Sequence, residues 1–329
     1  MAYRISPLWW PVLGAASPFI GPMMIKKNRR FKENRIAAKE LNTERMTAAR
    51  PLDMPELDFM ELTVLVEEKT EAGFIGDAGV SYAFRTDRGS LLFDVGFGPE
   101  RPAMANNAAR LDFSMDKTEA LAISHLHPDH MGGLKASRSN SVIVPEKLGA
   151  PGGKPCFLPD QASAEGFEAE VITEPRLLTG GIGTTGPLAR SLFFFGLTEE
   201  QALVADVKGK GLVVITGCGH PTIEVILDMV KRLSNRPVHA IGGGLHFPLT
   251  DGRGNRAGIQ FQRIIGTGHP PWRALKDNDL SQTIEAVNAA APEKVYLSAH
   301  DTCDFALERL HRELTADTRV LKAGATYRF

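Results

Sequence analysis

Apolar and polar residues alternate over short runs through most of the chain, the period-of-two pattern of strands with one face or both faces covered. The first runs are MELTVLV (60–66), VSYAFRT (80–86) and SLLFDVG (90–96), the last two joined by a turn at Asp87-Arg88-Gly89. Later ones are ALAIS, SVIVP, AEVIT, RSLFFFG, QALVADV, GLVVIT, PVHAIGG and KVYLSA. Helical spacing appears between some of them, at 99–110, 129–137, 222–233, 280–290 and 303–314. Many strands, with helices placed after strand ends that carry polar motifs, predict a sheet-rich α/β sandwich in preference to an all-parallel doubly wound sheet. Each half holds a strand that runs into a histidine-bearing turn, as two related halves would.

The N-terminal pattern is different. Ser6 to Ile25 (SPLWWPVLGAASPFIGPMMI) carries no charge and has about the length that spans a bilayer as a helix. Only Arg4 precedes it, whereas Lys26, Lys27, Arg29, Arg30, Lys32 and Arg35 come after it, an order opposite to that of a secretory signal. Residues 1–25 therefore read as a hydrophobic membrane anchor that keeps the globular domain on the cytoplasmic side. Pro7, Pro11, Pro18 and Pro22 argue for a bent or interfacial anchor over a regular spanning helix, with Trp9 and Trp10 suited to the headgroup level. A hydrophobic arm packed on the domain or on a second subunit is the alternative. Residues 26–56, with AAKELNTERMTAAR ended by Pro51 and Pro55, read as a basic, solvated helix and a linker, and the globular domain as 57–329.

With 329 residues, 43% of them apolar, the chain can bury a sizeable core. Its net charge of −1 argues against a nucleic-acid partner. Cys156, Cys218 and Cys303 are too few and too far apart for a disulfide framework, which fits a reducing compartment.

Candidate chemistry concentrates in Ser124-His125-Leu126-His127-Pro128-Asp129-His130-Met131-Gly132-Gly133. Three imidazoles and a carboxylate so close together are costly to keep unless a cation collects them. On an extended segment His125 and His127 point the same way; if a helix starts at Pro128, Asp129 and His130 turn to the other side. The spacing predicts two adjacent metal ions.

His125, His127, Asp129, His130 and Gly132-Gly133, preceded by LLFDVG with Asp94, resemble the signature of the metallo-β-lactamase superfamily of binuclear metallohydrolases. More narrowly, GCGHP (217–221), GGLH (243–246) and AHDTC (299–303) resemble the branch containing the archaeal dihydropterin-ribosylaminobenzene phosphate synthases of methanopterin biosynthesis. The resemblance covers residues 60 to 325 and implies an αββα fold with metals at the edge where the sheets meet. It implies one or two divalent ions, zinc first, with manganese and iron as alternatives.

Such a site needs further histidines, and His220 is the first available after His130. It is assigned to the ion of His125 and His127. His300 is assigned, by analogy with the last superfamily motif, to the ion of Asp129 and His130. His246 is placed at the substrate, and these two roles are exchangeable. Asp129 would orient the nucleophile, and Asp94 a ligating histidine. Asp301 would do likewise or cap a surface helix. Cys218 stands where the superfamily commonly has a bridging carboxylate, either as a thiolate ligand or as a small buried thiol beneath the site. The long 247–279 connection reads as a lid in which Arg263, His269, Trp272 and Arg273 would meet an anionic or ring-bearing small molecule. The glycine run 179–186 reads as a turn near the cleft, and His239 and His311 as structural.

Three alternative functions stand, the first two implied by the resemblance. The first is a hydrolase acting through metal-bound hydroxide on an ester, lactone or phosphoester. The second is a synthase like the methanopterin branch, and the third a membrane-tethered metal-dependent binding or sensing protein without turnover.

Overall fold

In the computed structural model, two mixed sheets face each other and bury a shared core, with helices covering both outer faces. Residues 3–253 and 257–329 are described; residues 1–2 of the expected anchor and 254–256 of the expected lid lie outside the described residues. The first sheet has the order Thr326–Arg328, Met60–Val66, Ser81–Thr86, Gly89–Phe93, Ala120–Ala122, Pro155–Leu158, Glu168–Val171. The second runs Arg176–Leu177, Gly183–Thr184, Leu203–Val207, Gly211–Ile215, Val238–Gly243, Lys294–Leu297, Asp317–Val320, with Glu56–Leu57 beside Leu203–Val207. Along each order the first three pairings are antiparallel and the last three parallel, so the two sheets repeat one topology.

Strand alternation explains the layers. Met60, Leu62 and Val64 point into the core between the sheets, with Leu91, Phe93, Ala122, Val213, Ile215 and Tyr296. Leu65, Leu92 and Leu121 point outward beneath the helices Pro102–Arg110 and Leu134–Ser139. Val295 and Leu297 do the same beneath Asp277–Ala290 and Asp304–Glu313. Covered on both faces, these strands are apolar almost throughout, as buried strands of sandwiched sheets are. The parallel strands end along one edge. Chains leaving it carry Asp94, the 124–130 segment, 216–220, 244–246 and 298–301, the crevice at the carboxyl ends of strands where open α/β sheets place ligands.

One helix, Trp10–Ala48, crosses the expected boundary at residues 25 and 26 without a break, and Pro18 and Pro22 lie inside it. The 26–56 segment is not a fully solvated helix and linker: Phe31 and Ala38 are buried against a hairpin, Leu188–Leu192 with Gly196–Glu200, that stands outside both sheets. The Asn42 side chain donates to Ala189 O at 2.9 Å and accepts from Ala189 N at 2.7 Å, as a neighbouring strand would. Arg45 binds Glu199 at 2.7 Å and Pro187 O at 3.0 Å. The strand read from RSLFFFG ends at Leu192, because Phe193-Phe194-Phe195 has no alternation; Phe193 packs between Phe31 and Trp272.

The N-terminal half of this helix has a different setting. It contains an apolar window with a mean hydropathy of 1.3, none of it buried, and is long and apolar enough to cross a membrane. Before it, the chain is tied to the expected lid: Ser6 N donates to Gly258 O at 2.8 Å and the Trp9 indole to Ala257 O at 2.8 Å.

Candidate metal centre

Asp94 follows the strand Gly89–Phe93 in a left-handed conformation, φ 61°. Its carboxylate accepts from Ser124 N and Ser124 Oγ, both at 2.7 Å, and lies 2.7 Å from His130 Nδ1. This bond holds the proton on Nδ1 and turns Nε2 into the site. The neighbouring segment behaves as the spacing predicts: it is extended through His127 and enters a short helix at Pro128. His125 and His127 therefore join His220, while Asp129 and His130 join Cys218 and His300. Cys218, His220 and His246 form a third, overlapping grouping; within each of the three, ligand-type atoms lie within 4.8 Å of one another.

Cys218 lies between the clusters, its Sγ 3.1 Å from His130 Nε2 and 3.2 Å from His300 Nε2. Burial, then the surrounding carboxylates, raise its pKa well above the usual thiol value, so a thiolate there requires a cation beside it. The imidazoles are shifted the opposite way. Burial first, then repulsion from the other histidines, hold His125, His220 and His300 well below the ordinary value, His127 at about 3 and His246 at about 4. At neutral pH these rings keep free lone pairs. His130 differs: burial lowers its pKa, but Asp94 and Asp129 outweigh that effect and raise it to about 9.

Buried atoms without partners test whether a metal fits. Among the described residues, His125 Nε2, His127 Nε2, His220 Nδ1 and both ring nitrogens of His246 have no hydrogen-bond partner. Each such atom costs about 1–3 kcal/mol, and a cation at the convergence of these nitrogens, Asp129 and Cys218 would satisfy several at once. Nitrogen, oxygen and sulfur donors at this spacing suit a divalent transition metal.

Two carboxylates that sequence reasoning missed hold the ligand loops in place. Glu200 accepts from Gly217 N at 3.1 Å, Gly219 N at 2.8 Å and His220 N at 2.8 Å, so it supports the whole turn that presents Cys218 and His220. Glu67 accepts from Tyr82 OH at 2.9 Å, Ala299 N at 3.2 Å and Ser298 Oγ, and Ser298 Oγ in turn lies 2.5 Å from His300 Nδ1. Burial raises both acids to about 7 against the pull of their donors. Their one sequence signal is an acidic residue abutting an apolar strand, at the end of MELTVLV and just before QALVADV. Asp301 is no surface cap: it is 1% exposed, accepts from His246 N at 3.1 Å, and stands 3.9 Å from His300 Nε2.

A cavity of about 420 Å³ opens beside His220 and His246. His269 lines it, its Nε2 3.9 Å from Asp279. The other residues expected at the substrate are not among those lining it. Arg263 braces its own segment, donating to Leu249 O at 2.6 Å and Gln260 Oε1 at 2.9 Å. Trp272 is 57% exposed against Phe193, and Arg273 is exposed. The glycine run contributes the strand Gly183–Thr184 of the second sheet. His239 sits in a strand 3.4 Å from Glu293, and His311 Nδ1 lies 3.2 Å from Thr318 O, both apart from the ligand groupings.

A search of curated proteins finds no match. The sequence model described as the metallo-beta-lactamase superfamily matches residues 75–187, a span that includes Asp94 and the 125–130 motif. Among solved structures, Tm1679, titled a metal-dependent hydrolase of the beta-lactamase superfamily, is 21% identical; the match covers 82% of this chain and 98% of that one with a TM-score of 0.58. YhfI from Bacillus subtilis, titled a metallo-beta-lactamase fold protein, is 14% identical over 83% of this chain and 100% of that one, with a TM-score of 0.49. The repeated sheets with their outer helices, the histidine motif at the strand ends and the structural likeness to Tm1679 identify the architecture as the metallo-β-lactamase fold.

Proposed function

We propose that this chain is a metal-dependent hydrolase of small molecules that carry an ester, lactone or phosphoester bond. One observation supports it above the others: buried histidine nitrogens without protein partners converge with Asp129 and Cys218 beside an open cavity. His125, His127 and His220 would hold one divalent ion and Asp129, His130, Cys218 and His300 a second, with zinc, manganese and iron all compatible with the donors. Such ions, when bound, bring the pKa of water toward neutrality and draw electron density from a carbonyl or phosphoryl oxygen.

The chain's own residues supply the rest. Asp129, whose carboxyl pKa is raised by burial, orients the attacking water and accepts its proton. His246, neutral at pH 7 and lining the cavity, donates a ring N–H to the substrate oxygen that gains charge. Asp94, Glu200 and Glu67 keep the ligand-bearing loops from relaxing between turnovers. Around this centre, the exposed apolar face of the N-terminal helix, including Leu8, Trp10, Val12, Phe19 and Ile25, and the basic run after it hold the enzyme at a membrane with its domain on the cytoplasmic side.

A second reading, group transfer with departure of phosphate or diphosphate as in the methanopterin branch, is favoured by Cys218 standing between the clusters where a carboxylate would be expected to bridge. Turnover in water labelled with oxygen-18 separates them: hydrolysis places the label in a product, and transfer to another acceptor does not. The direct test is metal-loaded protein assayed on aryl esters, lactones and phosphodiesters, with His127→Ala alongside. Cleavage and a sharp fall in bound metal for the variant are expected. No turnover on any substrate, with tight retention of an intact small molecule, would replace the hydrolase by a binding protein.

A further inference from the structure

The cavity beside His220 and His246 also holds a cation. Arg190 lines it together with His269, Asp279, Glu224 and Thr283. It comes from the strand Leu188–Leu192, the hairpin strand fastened to the N-terminal helix through Asn42 and Ala189. Among the described residues its guanidinium has no hydrogen bond and no ion pair within 4.0 Å. Two carboxylates lie nearby without ion-pairing to it within 4.0 Å: Glu224 accepts from Thr283 Oγ1 at 3.2 Å, and Asp279 accepts from Lys276 N at 2.7 Å at the start of its helix. Arg35, from the N-terminal helix, adds like charge; with burial as the larger cause, it lowers the Arg190 pKa, against the pull of Glu224 and Asp279.

Part of the 247–279 connection is shaped around this arginine. At Gly268, φ 65°, a Cβ would come within 2.6 Å of Arg190 Nε and 2.7 Å of Nη2. At Gly266 a Cβ would overlap the His246 ring. Two bare backbone positions therefore let one segment of chain pack closely on both His246 and Arg190. Half-buried and with no ion pair made within 4.0 Å, this guanidinium keeps its planar fork free, and that fork matches a carboxylate or phosphate with two parallel hydrogen bonds.

We propose that Arg190 is the substrate-recognition residue: it binds an oxyanion, carboxylate or phosphate, carried by the substrate at the end remote from the bond that is cleaved. The cavity volume, about 420 Å³, confines that substrate to metabolite size. The inference rests on the hydrolase reading only for what happens at the other end.

The test uses the full-length, metal-loaded protein as wild type, Arg190→Lys and Arg190→Met. Two ester probes are compared, p-nitrophenyl butyrate and mono-p-nitrophenyl glutarate, which differ chiefly in a terminal carboxylate. Glutarate and inorganic phosphate are titrated separately by calorimetry, which distinguishes the two oxyanions, and bound metal is measured for every variant. Wild type is expected to favour the charged ester in kcat/KM by about tenfold or more. Arg190→Met should bring that ratio to about one and weaken anion binding by about tenfold, with metal content unchanged; Arg190→Lys should retain part of both. If Arg190→Met fails to fold, Arg190→Lys and Gly268→Ala carry the same comparison. Equal ester ratios and equal anion affinity in wild type and variants would overturn the assignment while leaving the hydrolase reading intact. Arg190-dependent anion binding with neither ester cleaved would do the reverse.

Discussion

Replacing Glu200 by Gln tests whether one buried carboxylate sets the geometry of the metal centre. Glu200 is 1% exposed, and its two oxygens accept the N–H groups of Gly217, Gly219 and His220. Glutamine has one acceptor oxygen. Placed where Oε1 lies, that oxygen keeps Gly217 and Gly219, and the amide NH2 then faces the N–H of His220, donor against donor. A charge-assisted bond of about 1.5–3 kcal/mol is lost and a buried N–H left unpaired at about 1–3 kcal/mol, a destabilisation of about 2.5–6 kcal/mol together. The same displacement moves His220 and shifts Cys218, two residues earlier, so metal affinity should fall by about 10- to 100-fold, the usual effect of losing a group that positions a ligand. Urea unfolding of the metal-free protein measures the first quantity; elemental analysis after competition with chelators of graded strength measures the second. Glu200→Gln with wild-type stability and wild-type metal affinity would refute the assignment of this carboxylate as the support of the ligand turn.

Other outcomes are expected from the same geometry. Gly266→Ala should push the His246 ring from its place and lower kcat/KM with little change in bound metal at the His125, His127 and His220 cluster; unaltered kinetics would show that His246 is not held by this contact. In the metal-stripped protein the folded pKa values of His127, about 3, and His246, about 4, lie below the ordinary histidine value near about 6.5. Between those limits the unfolded chain binds more protons at these two positions, so their contribution to stability is complete above about 6.5 and declines as pH falls toward 4 and 3. Glu67 and Glu200, raised to about 7, act in the opposite sense between about pH 7 and 4.5, so the histidine contribution is read by difference: a His246→Gln variant whose urea midpoint falls with pH as steeply as that of wild type would contradict this sign. Deleting residues 1–25 should release the protein into the soluble fraction, and persistent membrane association would shift the anchor to the basic remainder of the helix.

Much of the candidate metal centre was legible in the chain because the groups that could hold an ion are local or stand at strand ends. HLHPDH announces itself by composition, the period of two joins His125 with His127, and Pro128 turns the next pair away. The strands from MELTVLV to KVYLSA were readable for a similar reason, since alternation records which faces are covered. What was not legible involves groups that act on distant backbone. Glu200 and Glu67 look like ordinary surface acids until the fold brings the N–H groups of 217–220 and of Ala299 to them. Phe193 to Phe195 look like a strand because hydrophobicity alone does not say where a hairpin turns.

The N-terminal segment shows the same division. Its apolar length and trailing positive charge are sequence properties, and they define a helix able to meet a membrane. That the helix continues to Ala48 and fastens the 188–200 hairpin, whose Arg190 lines the cavity, through Asn42 and Arg45 is decided only in three dimensions. Ligand identity is written in residue type because metals select donor atoms. The position of a lone cation or carboxylate depends on which remote partners the packing brings near it, and periodicity carries no record of that.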